Sequence, residues 1–345
     1  MKGRPTVQDQ PYQLPWEHPD WLEQATAWIH AQLEAQGTDI TGPIEILHQR
    51  PWSTLARLST TNGTVYFKAP APAYPYEAAL TQALARWRPD CTVPVLAVDL
   101  DQGWLLTADA GTTLRDIGRT PGQVEHWLKV LPLCAELQIE MAARVPELLA
   151  LGMPDRRLSI LPQLYAQLLE DSDNLRVGLE PGLTPEEFQR LRDLQPGVAG
   201  LCEQLASAGL PETLTHEEVH DGNVLVNGRR YIFIDWSDSS VAHPFFTMLV
   251  TIRAAAHRLE LAEEGPEMIR LRDAYLEPWT RFATRPTLLS AFGQAYRLGM
   301  ANRALSWQLG TGSLAAKHKE PYADAVPGWL QDFLNAVSPM PNSPL

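Results

Sequence analysis

Cysteine is scarce in this chain. Cys91, Cys134 and Cys202 are widely spaced and odd in number, which excludes a disulfide framework and a CxxC metal site and leaves reduced, buried thiols. Basic residues are also short, with 28 Lys and Arg against 41 Asp and Glu and a formal net charge of -13. Neutralising a phosphodiester backbone takes clustered cations, so a nucleic-acid partner is excluded, and the acid surplus favours a cationic small molecule. Long apolar runs are missing as well. No window approaches the length of a membrane span, and Met1 to Pro15 carries Lys2 and Arg4 with no apolar stretch behind them, so the expectation is a cytoplasmic protein with no membrane partner. Internal repeats and low-complexity tracts are absent too.

What remains is ample material for folding. The 345 residues are 45% hydrophobic and 20% charged, with eleven tryptophans and 29 prolines, enough for a large core in two lobes with many loops. Asp20, with Glu23 three residues on, reads as a helix cap, and Trp21, Leu22, Ala25, Trp28, Ile29 and Leu33 then recur on one face until Gly37. From Ile44 the pattern turns to short β-rich runs, Ile44 to Leu47, Leu55 to Ser59 and Thr64 to Phe67, with Asn62-Gly63 as a tight turn between the last two. A helix from about Tyr76 to Trp87 follows, then strand-like runs at Val93 to Val98 and Trp104 to Thr107, and a hinge at Asp109-Ala110-Gly111.

Beyond the hinge the chain reads as helical, at Val124 to Glu140, at Leu158 to Leu169, and from Thr184-Pro185-Glu186-Glu187, a capped start with Pro at its first position. One hairpin interrupts it, Val224 to Val226 and Tyr231 to Ile234 around Asn227-Gly228. The expected organisation is an extension with one amphipathic helix (1–43), a small antiparallel-sheet lobe (44–110) and a larger, mainly helical lobe (111–345). Together they make an α+β, bilobal fold, and a cleft between lobes is the usual place for a ligand.

The chemistry concentrates between Leu214 and Asp235, where His216, Glu218, His220 and Asn223 precede a hairpin ending in Asp235-Trp236-Ser237. Phosphoryl transfer needs a carboxylate to orient the acceptor hydroxyl, an oxygen ligand for Mg²⁺ from the same loop, and a second carboxylate for the metal bridging the phosphates. Glu218, Asn223 and Asp235 supply these in that order.

Here the sequence resembles the aminoglycoside phosphotransferase and choline kinase family, a branch of the protein-kinase-like fold. The family's loop, His, any residue, Asp, four residues, Asn, is matched by His216-Glu217-Glu218-Val219-His220-Asp221-Gly222-Asn223, and Ile234-Asp235-Trp236 matches its metal-binding segment. Val65-Tyr66-Phe67-Lys68 resembles the strand with the phosphate-contacting lysine, and Glu77 its ion-pair partner. The likeness runs over roughly residues 44 to 250 with order and spacing preserved. It implies a small-molecule kinase using ATP or GTP with Mg²⁺. Lys68, held by Glu77, would meet the phosphates, Asn223 and Asp235 the metal, and Glu218 the acceptor. His216 would brace the loop, and Thr107, Ala108, Asp109 and Ala110 would meet the purine. Lys68 is expected to serve charge neutralisation more than fold stability. Helices from about Leu114 to Leu210 and at the C-terminus would build the acceptor pocket.

Three features depart from the family. Glu218 stands where the catalytic Asp belongs, which keeps open a nucleotide-binding pseudoenzyme with weak or no transfer. Ser237 replaces a common glycine. The segment Arg50-Pro51-Trp52-Ser53-Thr54 is not glycine-rich, so phosphate contacts there fall to Ser53, Thr54 and backbone amides.

A rival uses the same residues, because His216-Glu217-Glu218-Val219-His220 also satisfies HExxH, the pattern of a zinc hydrolase. That motif works on a helix, where His residues at i and i+4 share a face. Asp221-Gly222-Asn223 and the strand after it oppose a helix, Asn223 stands where the extended pattern needs Gly, and Val226 where it needs a third His.

Overall fold

The computed structural model describes residues 13–118 and 122–337; most of the lead-in that carries Lys2 and Arg4 lies outside them. The fold divides into two compact units, the first drawing its described residues from Met1–Gly118, Asp221–Asp238 and Ser313–Lys319, the second from Arg119–His220, Ser239–Gly312 and Glu320–Leu345. The embedded hairpin, expected in the 111–345 lobe, therefore belongs with the first unit.

In the first unit, β1 (Glu45–Arg50), β2 (Ser53–Thr60), β3 (Gly63–Pro70), β4 (Val95–Asp99) and β5 (Trp104–Ala108) form an antiparallel sheet in the order β1-β2-β3-β5-β4. Helix α1 (Trp21–Glu34) buries Trp21, Ala25, Ile29 and Leu33, one residue per turn. That stripe joins Ala56, Leu58, Val65, Phe67, Ala69, Trp104 and Leu106 of the sheet in a single core. Within it the rings of Trp21, Trp28 and Phe67 meet Trp104 edge-on, with centroids 6.4, 5.6 and 5.8 Å away, the geometry that aromatic quadrupoles favour. Strand alternation sends the residues between these to the other face of the sheet. The expected cap at Asp20 is not made: it stands at the helix start without a side-chain capping hydrogen bond, its own amide donating to His18 Nδ1 at 3.3 Å.

The β2–β3 turn is Thr61-Asn62, one residue earlier than Asn62-Gly63, because Thr60 pairs with Gly63. Helix α2 (Glu77–Trp87) follows β3, and β6 (Thr112–Thr113), β8 (Val224–Asn227) and β9 (Arg230–Phe233) form a small antiparallel sheet.

The second unit carries α3 (Gly122–Met141), α4 (Val145–Ala150), α5 (Leu161–Leu168), α6 (Ser172–Leu175), α7 (Pro185–Ala206), α8 (Thr247–Leu259), α9 (Pro266–Leu276), α10 (Arg285–Thr311) and, after the short α11 (Ala316–Lys319) of the first unit, α12 (Ala325–Val337). Thr184 caps α7 in a reciprocal box with Glu187, behind Pro185, as its sequence requires. The second unit also holds an antiparallel pair, β7 (Thr213–His216) with β10 (Ser239–Ala242), which the sequence reading missed because four-residue strands are too short to display a period and no tight turn such as Asn227-Gly228 joins these two. Among the described residues no helix is long and apolar enough to cross a membrane.

Candidate active site

Lys68 lies on β3 in the cross-strand row His48, Leu55, Lys68, Leu105, on the face of the sheet away from α1. It is no solvated strand residue. Its ammonium donates to Glu77 Oε1 at 2.5 Å and to Asp235 Oδ1 at 2.7 Å. Burial opposes its charge, but Asp235 and Glu77 outweigh burial and hold its pKa above the usual lysine range. Glu77, at the start of α2, is 2% exposed. Burial, reinforced by the charge of Asp235, pushes its carboxyl up to about 7 despite Lys68. Of two carboxylates sharing one ammonium, the more deeply buried keeps a proton more readily. Its Oε2 is buried with no hydrogen-bond partner among the described residues. His48, on the same row, is held below the ordinary imidazole range by burial and by Arg50 and Lys68.

Asp235 follows β9 with φ at 63°, left-handed backbone that Asp tolerates better than most residues. The next residues hold it there. Ser237 Oγ donates to Asp235 Oδ1 at 2.7 Å, and the Tyr76 hydroxyl, one residue before α2, donates to the Ser237 carbonyl. Asn223 immediately precedes β8, and its carbonyl accepts the Ile234 amide at 3.1 Å. The ladder of the hairpin thus carries Asn223 and Asp235 to the same end of two neighbouring strands. A carboxylate and a side-chain amide are hard oxygen donors of the kind Mg²⁺ accepts, so these residues fit that ion.

Ser53 and Thr54 are placed differently from the expectation. Only Pro51-Trp52 joins β1 to β2, so both residues lie within the strand, paired with Pro70 and Ala69 and 3% and 0% exposed. They lie in a strand and not in a loop, because the connection spans only two residues. Thr107, Ala108, Asp109 and Ala110 end β5 and leave it. Thr107 pairs with Tyr66, while the amides of Ala108 and Asp109 donate within the unit to the Pro94 and Thr64 carbonyls, both at 3.0 Å. Ala110 packs with Val93, Leu225 and Ile232. Gly111 then passes β8 so closely, at φ 125°, that a Cβ would come within 2.4 Å of the Val226 carbonyl oxygen.

In the second unit, His216 ends β7 and is 3% exposed, and its Nδ1 accepts the Glu218 amide at 3.2 Å. Glu217 is buried among Arg156 at 3.2 Å, Ser240 at 2.7 Å and Ser306 at 2.5 Å. Glu218 accepts from Arg303 of α10. The segment after β7 is turn and bend, not helix, so His216 and His220 do not share a helical face. The Glu that a zinc hydrolase would use as base is committed to Arg156. Among the described residues no group of three or more His, Cys, Asp and Glu could hold a metal ion.

Sequence reasoning missed Arg303, Arg156, Ser306 and the Tyr76–Ser237 link. Arg303 carried a usable signal, since it stands among Met300, Ala301, Ala304 and Leu305 in an apolar helical run, where a guanidinium needs a partner. The other three carried none.

The sheet with its covering helix, the lysine bridging two carboxylates, and the helical second unit define a bilobal, kinase-like α+β fold. The chain belongs to the phosphotransferase enzyme family, whose model matches residues 53–255. Solved structures with this fold include the ethanolamine kinase of Plasmodium vivax, with 13% identity and a TM-score of 0.61 over 93% of this chain and 89% of that one. A choline/ethanolamine kinase family protein from Mesorhizobium loti has 17% identity and a TM-score of 0.57 over 92% and 98%. A macrolide 2'-phosphotransferase from Brachybacterium faecium has 18% identity and a TM-score of 0.53 over 87% and 97%. Compared with the curated proteins, the sequence matches none at a significant level.

Proposed function

We propose that this phosphotransferase moves the γ-phosphoryl group of ATP, or GTP, onto a hydroxyl of a small-molecule acceptor. The observation that carries the reading is the Lys68 ammonium seated between Glu77 and Asp235. A buried ammonium held in place by two carboxylates is preorganised positive charge, and phosphoryl transfer relies on such charge. On this reading Lys68 contacts the phosphates and Glu77 keeps it aimed. Asp235 and Asn223 would hold Mg²⁺, which when bound neutralises phosphate charge. Glu218 orients the acceptor hydroxyl and takes its proton. The purine lies by Thr107 to Ala110. Ser53 and Thr54, being buried in β2, contribute through the sheet they shape. The helices of the second unit build the acceptor pocket, and the net charge of -13 favours a cationic acceptor, an aminoglycoside-like compound among them.

A second reading, nucleotide binding without transfer, draws on one observation: the Glu218 carboxylate is engaged by Arg303. Titration calorimetry with ATP and GTP, with and without Mg²⁺, followed by a turnover screen over hydroxylated metabolites and antibiotics, decides between them. Mg²⁺-dependent binding with phosphorylated product supports the kinase. Binding with no turnover for any acceptor or for water supports the second reading, and no binding at all overturns both.

A further inference from the structure

Glu218 is one methylene longer than the aspartate that the family resemblance places at this point. We propose that Arg303 is the positioning residue that lets a glutamate serve there, aiming its carboxylate at the acceptor hydroxyl; the inference rests on the phosphotransferase reading.

The backbone at this point has little freedom. His216 Nδ1 accepts the Glu218 amide at 3.2 Å, and Glu217 next to it is tied to Ser306, Arg156 and Ser240 at 2.5, 3.2 and 2.7 Å. With the main chain held, only the side-chain torsions of Glu218 remain, and Arg303 limits those. Arg303 stands one turn before Ser306 on α10, so a single helix face grips both consecutive glutamates. The guanidinium is itself immobilised. It is 4% exposed, and its central carbon lies 5.6 Å from the centroid of the Trp307 ring, which stacks in turn on Tyr322. A guanidinium so buried needs a carboxylate, and Glu218 supplies one.

An aspartate on the same backbone would end about 1 Å short of the guanidinium, a misplacement large enough to matter for in-line transfer. Residue 218 and Arg303 are therefore a matched pair. In the reaction the acceptor oxygen forms its bond to the γ-phosphorus as the bond to the β–γ bridging oxygen breaks. The bonding pair leaves with the nucleoside diphosphate, and the hydroxyl proton passes to the Glu218 carboxylate. Arg303 stays protonated throughout, since its pKa is too high for it to take that proton, so its part is orientation and not proton transfer.

The test is a mutant cycle on the full chain, reading nucleotide Kd by calorimetry, kcat for Mg-ATP turnover with water or the best acceptor, and melting temperature. Arg303→Met should lower kcat by about a hundredfold while nucleotide Kd stays nearly constant, the penalty expected for a misplaced reacting group. Arg303→Lys should recover part of the loss. In a Glu218→Gln background Arg303→Met should cost almost nothing further, because the group it acts through has already been disabled. Glu218→Asp, with Arg303 untouched, should lower kcat, so the proposal stays testable even where Arg303→Met fails to fold. Full kcat in Arg303→Met, a loss that adds in full to that of Glu218→Gln, or a Glu218→Asp protein as fast as the parent or faster would each overturn it. A parent chain with no Mg²⁺-dependent nucleotide turnover removes the phosphotransferase reading and this inference together, whereas a parent that turns over with kcat indifferent to Arg303 removes the inference alone.

Discussion

Lys68 and Asp235 are 167 residues apart in the chain, and the ammonium of one lies 2.7 Å from the carboxylate of the other. Both belong to the first unit, Lys68 through β3 and Asp235 through the hairpin of β8 and β9. The same Asp235 oxygen receives Ser237 Oγ. The ion pair is thus part of a fixed frame that reaches α2 through Tyr76 and Glu77.

Replacing Asp235 should abolish Mg²⁺-dependent nucleotide binding, and the choice of replacement matters. At φ 63° an alanine adds roughly 1–2 kcal/mol of left-handed strain, whereas asparagine tolerates that backbone. Asp235→Asn is therefore expected to keep its melting temperature within a few degrees and still lose turnover by orders of magnitude. Normal ATP turnover by Asp235→Asn would show that this carboxylate does not hold the metal.

The burial of Lys68 changes what its removal should do. Breaking a buried ion pair by deleting one partner costs about 3–5 kcal/mol when the other stays charged. Glu77, 2% exposed, is the partner left behind. Lys68→Met should thus lose both turnover and several degrees of melting temperature at pH 8, and less stability at pH 5.5, where Glu77 can be protonated. Equal melting temperatures for parent and variant at pH 8 would count against a structural role.

Glu77 sets a pH dependence of its own. Its carboxyl is raised from 4.5 to about 7, so between those values the folded chain holds a proton that the unfolded chain has released. Its contribution to stability therefore falls as pH rises through that window, the reverse of a salt-bridged carboxylate with a depressed pKa. Glu77→Gln should flatten the melting temperature against pH between 4.5 and 7. A slope unchanged by the substitution would assign the titration to another group.

Ser237 anchors Asp235 on one side and accepts Tyr76 on the other. Removing the hydroxyl in Ser237→Ala costs one hydrogen bond to a charged group, about 1.5–3 kcal/mol at most. Mg-nucleotide affinity should fall by at most about ten- to a hundredfold on that scale. Calorimetry reads this directly, and unchanged affinity would mean that Asp235 is held without it.

Much of this was legible beforehand. The helix of Trp21 to Leu33, the hairpin strands and the Thr184 cap each follow from local periodicity or turn chemistry. The motif Lys68, Glu77, Asn223, Asp235 was legible by order and spacing, and the fold brings all four into one unit. Lost to view were the short β7 and β10, the unmade cap at Asp20 and the buried placement of Ser53 and Thr54. The last depends on a two-residue β1–β2 turn whose length no residue in it announces.

By itself, the sequence determined the longer elements and the family, because periodicity and motif spacing are written within a few residues or in a preserved order. Only the tertiary structure decided which charges share a partner: that Lys68 answers two carboxylates, that Glu77 is the one pushed towards neutrality, and that Arg303 holds Glu218. Those outcomes depend on burial and on distances between residues far apart in the chain. Electrostatic energy varies with both so steeply that spacing along the sequence carries no trace of it.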